Sequence, residues 1–107
     1  MSVPRIDLKS THLSALQLPL RTRSVAELAA QLQTQWANVA GAFDGEPLCI
    51  DVAELPAGPA LDWQALVDLL RGWSLRPLAL TGFEQLEAAE RERALHVGLV
   101  LSESGPL

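Results

Sequence analysis

Two aspartates near the end of a predicted strand are the first residues in this sequence that could do chemistry. Asp51 lies near the end of the apolar run at 47–52, and Asp62 opens the next helix after a loop. A strand that ends on a carboxylate and feeds a helix is the repeating unit of parallel α/β sheets, whose sites lie at strand ends. Two carboxylates there could act as an acid–base pair. The simpler interpretation is that Asp51 meets solvent and Asp62 caps the helix.

Other residues with catalytic or metal-binding potential are isolated from one another. A zinc site needs several ligands at suitable spacing, whereas His12, His96 and Cys49 are the only histidines and cysteine in the sequence. The serines lack a nucleophile context such as G-x-S-x-G, and the glycines are scattered without a phosphate-binding lysine. The sequence therefore predicts no enzyme, no cofactor and no metal site.

Length and composition indicate one domain. A chain of 107 residues that is 49% hydrophobic can bury a single core. Its one cysteine, Cys49, lies in an apolar run, which is typical of a buried residue in a reducing compartment. No apolar stretch approaches ~20 residues, and the N-terminus lacks an apolar signal segment. We therefore expect a soluble, cytoplasmic protein that does not insert into the membrane directly.

Charge is distributed unevenly along the chain. The net charge of −5 disfavours binding to nucleic acid. Residues 1–26 contain four cations and one acid and so carry +3, which leaves −8 for the other residues. The cations are Arg5, Lys9, Arg21 and Arg23. This basic end is either ordinary solvated surface or a docking edge for an acidic protein partner.

Alternation of apolar and polar residues predicts two strands near the start of the chain. Residues 6–9 and 16–20 should pair as an antiparallel hairpin across 10–12. Pro19 lacks an N–H, so it requires an edge or a strand end. Three nearly apolar strands should follow as a parallel sheet covered by helices, with right-handed crossovers that make them neighbours. These strands are at 48–52, 78–81 and 97–101.

Helical spacing predicts one helix between each two consecutive strands from the second predicted strand onwards. Ser24 with Glu27 forms a capping box for the first helix, and Asp62 is a natural N-cap for the second. The three helices are predicted at about 25–39, 62–73 and 84–95. The element order is thus β-β-α-β-α-β-α-β, an α/β fold with a mixed sheet: an N-terminal β-hairpin followed by parallel βαβαβ units.

Several short segments together resemble a known family. In chain order they are Arg5-Ile-Asp-Leu-Lys9, Leu48-Cys-Ile-Asp-Val-Ala-Glu-Leu55, Asp62-Trp63 and Leu78-Ala-Leu-Thr-Gly82. Their order and spacing are similar to the N-terminal domain of MinC, the septum-site-determining inhibitor of bacterial cell division. The resemblance runs from Ile6 to about Leu101, and it depends on collinearity because each segment is short.

The resemblance implies a function without catalysis. In this family the N-terminal domain binds FtsZ, a tubulin-like protein, and destabilises its polymers. A C-terminal domain dimerises and binds MinD, an ATPase recruited to the membrane. By this resemblance residues 1–101 form the N-terminal domain, and 102–107 begin a linker to a C-terminal domain that is absent here. The full-length protein would be a homodimer that MinD recruits to the membrane.

The resemblance also suggests which residues contact the partner. Lys9, the only lysine in the sequence, matches a family position implicated in FtsZ binding. With the charge pattern, this predicts a partner-binding set comprising Arg5, Lys9, Ser10, Arg21 and Arg23. Ser10 departs from the family, which often has glycine there. Its Cβ restricts positive φ, so the bend of the hairpin can differ or shift by one residue.

Two other interpretations remain open. STAS-type anti-sigma-factor antagonists share a similar architecture and carry a phosphorylatable serine at a helix start after a strand-end aspartate. Here Leu61-Asp62-Trp63-Gln64 stands where Asp-Ser-Ser-Gly would be, so the switch serine is missing. The first interpretation is therefore a STAS-like antagonist or another protein-binding module. The second is a small enzyme that uses Asp51 and Asp62.

Overall fold

A computed structural model describes residues 15–39 and 41–102, which form a four-stranded sheet and three helices. The strands are β1 (Leu16–Pro19), β2 (Glu46–Asp51), β3 (Leu75–Thr81) and β4 (Val100–Leu101). The helices are α1 (Val25–Gln35), α2 (Trp63–Gly72) and α3 (Ala88–His96), with short 3-10 turns at Ala37–Val39 and Phe83–Gln85. The predicted α/β class is confirmed.

The sheet has the order β1-β2-β3-β4, and every pairing between its strands is parallel. The antiparallel part of the predicted mixed sheet was the pairing of 16–20 with 6–9, so the parallel pairing of β1 with β2 does not test it. The predicted strand at 6–9, and with it the antiparallel hairpin, lies outside the described residues. The described elements match the order of the last seven of the eight predicted ones.

Element boundaries differ from the predictions where burial outweighs local pattern. Strand β3 begins at Leu75, earlier than predicted, because Leu75 and Pro77 alternate into the core. The third predicted helix is interrupted at Leu86, which adopts extended ψ of 144° and is only 5% exposed. Burying this leucine ends the 3-10 turn, and α3 starts afresh at Ala88.

Both predicted helix caps are present. The Ser24 hydroxyl accepts a hydrogen bond from the Glu27 N–H at 3.1 Å, and the Asp62 carboxylate accepts one from the Ala65 N–H at 3.0 Å. The reciprocal half of the capping box differs, since the Glu27 carboxylate accepts from the Thr22 hydroxyl at 3.2 Å. Both caps satisfy N–H groups that the first helical turn cannot bond internally.

The three helices in the described part of the chain all lie on one face of the sheet. Crossovers between neighbouring parallel strands are right-handed, so the order β1-β2-β3-β4 places all three helices on the same side. The core forms there, between strand residues such as Ile50 and Leu80 and helix residues such as Leu66 and Leu70, all of which are 0% exposed. We call the other side of the sheet the open face.

The aromatic residues lie at the margin of this core as well as inside it. Trp36, expected in the core stripe of the first helix, instead ends α1 and is half-buried. Its ring packs edge-to-face against Phe43 at 5.2 Å and against Trp73 at 5.4 Å. Trp63 is 2% exposed, whereas Cys49, expected to be buried, is half-buried on the open face.

Candidate partner-binding surface

The two aspartates at the carboxyl ends of the strands serve local turns. Asp51 accepts a hydrogen bond from the Ala53 N–H at 3.0 Å, and Asp62 caps α2. Gly82 lies against this turn with φ of 66°, and a Cβ there would come within 2.5 Å of the Asp51 carboxylate. The strand ends are thus closed by tight turns, which supports the interpretation that the aspartates are structural.

One cleft in the described part of the chain has both apolar and charged walls. It has a volume of about 520 Å³ and lies between the start of α2 and α3, lined by Leu61, Asp62, Trp63, Gln64, Ala89, Glu92, Arg93, His96 and Val97. Within residues 15–39 and 41–102, no group of three or more His, Cys, Asp or Glu residues is placed to hold a metal ion. None of the helices in the described part of the chain is long and apolar enough to cross a membrane.

Arg23, a predicted partner-binding residue, is occupied inside the protein. Its side chain is 14% exposed, and its Nη1 donates to a Glu90 oxygen at 2.6 Å. The same guanidinium donates to the carbonyl oxygens of Pro56 at 2.6 Å and Pro59 at 3.1 Å. Arg23 therefore ties the loop between β2 and α2 to helix α3.

Glu90 is the centre of this network. Its side chain is 7% exposed, and its Oε2 accepts from the Leu61 N–H, the Trp63 indole N–H and the Arg93 guanidinium at 3.2–3.3 Å. Burial raises the pKa of Glu90, but the hydrogen bonds from Arg23, Leu61, Arg93 and Trp63 outweigh it and hold the pKa below its ordinary 4.5. Glu90 is therefore ionised at neutral pH.

The sequence analysis did not identify Glu90. It lies among other charged residues at the start of α3 and within it, including Glu87 and Glu92, which are exposed. One signal was present: Glu90 shares a face of α3 with Ala94, four residues on, and Ala94 is buried. An acid at such a position requires donors from elsewhere in the fold, and periodicity does not show where they come from.

Arg21 has a different environment, although it is only two residues before Arg23. Its side chain is 69% exposed, and its Nε lies 2.8 Å from a Glu54 oxygen whose side chain is 65% exposed. An exposed pair of this kind is weak and leaves the guanidinium accessible. Of the predicted set, Arg21 is thus the described residue that faces solvent, while Arg5, Lys9 and Ser10 lie outside the described residues.

Arg21 follows the first strand of the described sheet. Among the described strands, β1 is first in the order and pairs with β2. Pro19, which lacks an N–H, is the last residue of β1. The described residues therefore form a small α/β domain with an exposed basic side chain just after β1 and with both aspartates held in turns.

Comparison with known proteins gives the family. Residues 6–77 match the family described as septum formation inhibitor MinC, N-terminal domain. The chain is also 30% identical over 98 residues to the probable septum site-determining protein MinC of Bordetella petrii, over 92% of this chain and 33% of that protein. The chain belongs to the MinC N-terminal domain family, which confirms the resemblance seen in the sequence. It spans about a third of the curated relative it matches.

Membership decides between the interpretations left open above. The members of this family regulate cell division through the selection of the septum site, and the family is not known as an enzyme family. The STAS alternative loses its support, since Asp62 caps α2 and the buried Trp63 follows where a switch serine would be needed. A small enzyme built on Asp51 and Asp62 is disfavoured by the turns that hold both carboxylates.

Proposed function

We propose that this domain inhibits cell division by binding FtsZ and destabilising its polymers, and so helps to place the division septum. The observation that carries the proposal is the family match over residues 6–77. The exposed charge of Arg21, just after β1, supports it, since an acidic partner would be attracted to a basic surface. Binding through such a surface requires no cofactor.

We propose that Arg5, Lys9, Ser10 and Arg21 contact FtsZ directly. Arg23 belongs to the same surface in a supporting role, because its guanidinium is bonded to Glu90 and to the loop at 56–59. That loop precedes α2 and lies close to Glu54, the partner of Arg21. Holding the loop in place would fix the position of the exposed pair at the surface.

The whole protein would act from the cytoplasm as a homodimer. In this proposal residues 1–101 are the FtsZ-binding domain, and 102–107 lead towards a C-terminal domain that dimerises and binds MinD. MinD would then recruit the protein to the membrane. The proposal rests on the family and on the share of the relative that the chain covers.

Sedimentation of FtsZ polymer tests the activity. With GTP, adding the domain should reduce the amount of FtsZ that sediments while GTP hydrolysis changes little, because the domain is proposed to act on the polymer and not on the nucleotide. Unchanged polymer at a several-fold excess of domain in low salt would contradict the proposal. Added salt should weaken inhibition by screening the basic edge.

Reversing a single charge tests the proposed contact. Lys9→Glu lowers the charge of residues 1–26 from +3 to +1 and should weaken inhibition without unfolding the domain. Arg91→Glu makes the same charge change on α3 and should weaken it less. Equal loss in both variants would mean that only net charge matters. Full inhibition by Lys9→Glu would exclude this edge as the docking site.

A further inference from the structure

The open face of the sheet has a defined pattern of side chains. Paired residues on neighbouring strands point to the same face, so the strand register identifies this set. At the amino ends lie Pro47 and Arg76; in the middle lie Gln17, Cys49, Ala79 and Val100; at the carboxyl ends lie Pro19, Asp51 and Thr81. The Gln17 amide donates across β2 to the Thr81 hydroxyl at 3.3 Å, as residues on one face can.

The middle of this face is apolar and partly exposed. Val100 is 57% exposed, and Leu78, the extra residue at an irregularity in the pairing of β2 with β3, is 40% exposed. Cys49 is half-buried, and Ala79 is small and buried between the flanking strands. An apolar band rimmed by polar residues is typical of a surface that contacts another protein.

The charges on the open face are separated along the strands. Arg76 is exposed at the amino end of β3, where its Nε donates to the Gly45 carbonyl at 2.7 Å. Asp51 lies at the carboxyl end of β2 and pairs with Thr81 of β3. Thr81 is buried and Asp51 is half-buried, so Asp51 is the accessible one of the two. A second copy turned end over end would bring its Arg76 above Thr81 and beside Asp51. The face is thus complementary in charge to itself.

We propose that the open face binds a second copy of this chain. The two-fold axis would lie between the two sheets and run across the strands above the row of Cys49 and Ala79. The strands of the two copies then run in opposite directions, with the sheets about 10 Å apart. Each Arg76 meets Asp51 of the other copy, so this contact occurs twice in the dimer, and the two apolar bands face each other.

The size of the face determines how strong this contact can be. From the spacing of strands and residues it covers roughly 300 Å² on each copy. Two copies would bury less than the ~1,000 Å² expected of an independently stable interface. The contact is therefore weak and becomes effective when two copies are held together, since tethering raises their effective concentration. It does not depend on the proposed binding of FtsZ.

Self-association of the 107-residue chain tests the proposal. Sedimentation equilibrium between ~10 µM and ~1 mM should show a monomer–dimer equilibrium with a dissociation constant at the upper end of that range. Val100→Glu should weaken it at least about tenfold by placing a charge in the apolar band. Leu95→Glu is the matched control, because Leu95 is 46% exposed on α3, away from the open face. A monomer at every concentration, or equal loss in both variants, would overturn the proposal.

Charge exchange tests the orientation. Arg76→Glu alone and Asp51→Arg alone each place like charges together in the dimer, so each variant should remain monomeric. A mixture of the two should associate again, because every pair in the mixed dimer is attractive. If both variants fold, as judged by circular dichroism, and the mixture stays monomeric, the orientation is wrong.

Cys49 gives an independent measurement that needs no variant at Asp51. It lies beside the proposed axis, so the two copies of this single cysteine should be near each other. A short bismaleimide should link wild-type chains into a covalent dimer and should link Val100→Glu far less. Equal linking of both at the same concentration would show random collision and would overturn the proposal.

Discussion

Two arginine–glutamate pairs beside the same turn differ in environment far more than in geometry. The Arg21–Glu54 pair has an N–O distance of 2.8 Å and side chains that are 69% and 65% exposed. The Arg23–Glu90 pair has a distance of 2.6 Å and side chains that are 14% and 7% exposed. Distance alone would rank them as nearly equal, whereas burial makes one a structural bond and leaves the other accessible.

The physical reason is the cost of removing charge from water. An exposed pair keeps its hydration, so its net contribution is small. A buried carboxylate loses hydration and must recover that energy from donors, and Glu90 receives hydrogen bonds from Arg23, Leu61, Trp63 and Arg93. The two arginines of one turn thus have different roles. Arg23 with Glu90 stabilises the fold, whereas Arg21 with Glu54 stays accessible to a partner.

The largest expected effect comes from removing the buried acid. Glu90→Ala should lower the free energy of unfolding by about 3–5 kcal/mol, because it leaves the Arg23 guanidinium buried without its partner. Glu92→Ala on the same helix, at an exposed position, should change it by less than ~0.5 kcal/mol. Chemical denaturation measures the free energy of unfolding of both variants. If both lost similarly little, the charges of Arg23 and Glu90 would have to remain hydrated in the folded protein.

The buried pair should also make stability depend on acid. The pKa of Glu90 lies below 4.5 in the folded protein, so its ionised form stabilises the fold above that value. This contribution is lost as the pH falls below 4.5 through the folded pKa. Unfolding free energies of wild type and Glu90→Gln should therefore converge as the pH is lowered below 4.5. A constant difference from neutral pH downwards would contradict the assignment.

An intermediate effect is expected from the indole that bonds to Glu90. Trp63→Phe keeps an aromatic ring in the core but removes the N–H that donates to Glu90 at 3.3 Å. The loss should be about 1–3 kcal/mol, since a buried acceptor then lacks one donor. Thermal unfolding would measure it beside Trp73→Phe, a matched change at a half-buried position, which should cost less.

The smallest effect on stability is expected at the exposed pair. Arg21→Ala should change the free energy of unfolding by less than ~1 kcal/mol. The same variant should nevertheless weaken the inhibition of FtsZ polymer, because it removes a proposed contact. Glu54→Ala should retain inhibition, since it leaves the Arg21 charge in place. A large stability loss in Arg21→Ala would remove the distinction between the two pairs.

Much of the fold could be predicted because its signals are local. Ser24 and Asp62 were identified as N-caps from residue type and position, and both cap their helices through hydrogen bonds within three residues. The apolar runs that became β2 and β3 were recognised for the same reason. The break at Leu86 was missed, because it depends on where the leucine is buried and not on its neighbours in sequence.

The candidate site could be predicted only as a region. Counting charges grouped Arg21 with Arg23, although the fold exposes one and buries the other. The parallel pairing of β1 with β2 also joins segments about 30 residues apart, and the predicted hairpin of 6–9 with 16–20 stays a prediction. The contact with FtsZ at Lys9 stays a prediction.

The α/β class, the order of the elements from β1 onwards, the helix caps and the resemblance to the MinC family could all be read from the residues. These depend on periodicity, on caps a few residues long and on collinear segments. Three features come only from the folded arrangement: Glu90 is a buried centre, Arg23 is bound to it, and the described helices all lie on one face of the sheet. Arg23 and Glu90 are 67 positions apart, and burial arises from contacts at such separations, which no local pattern encodes.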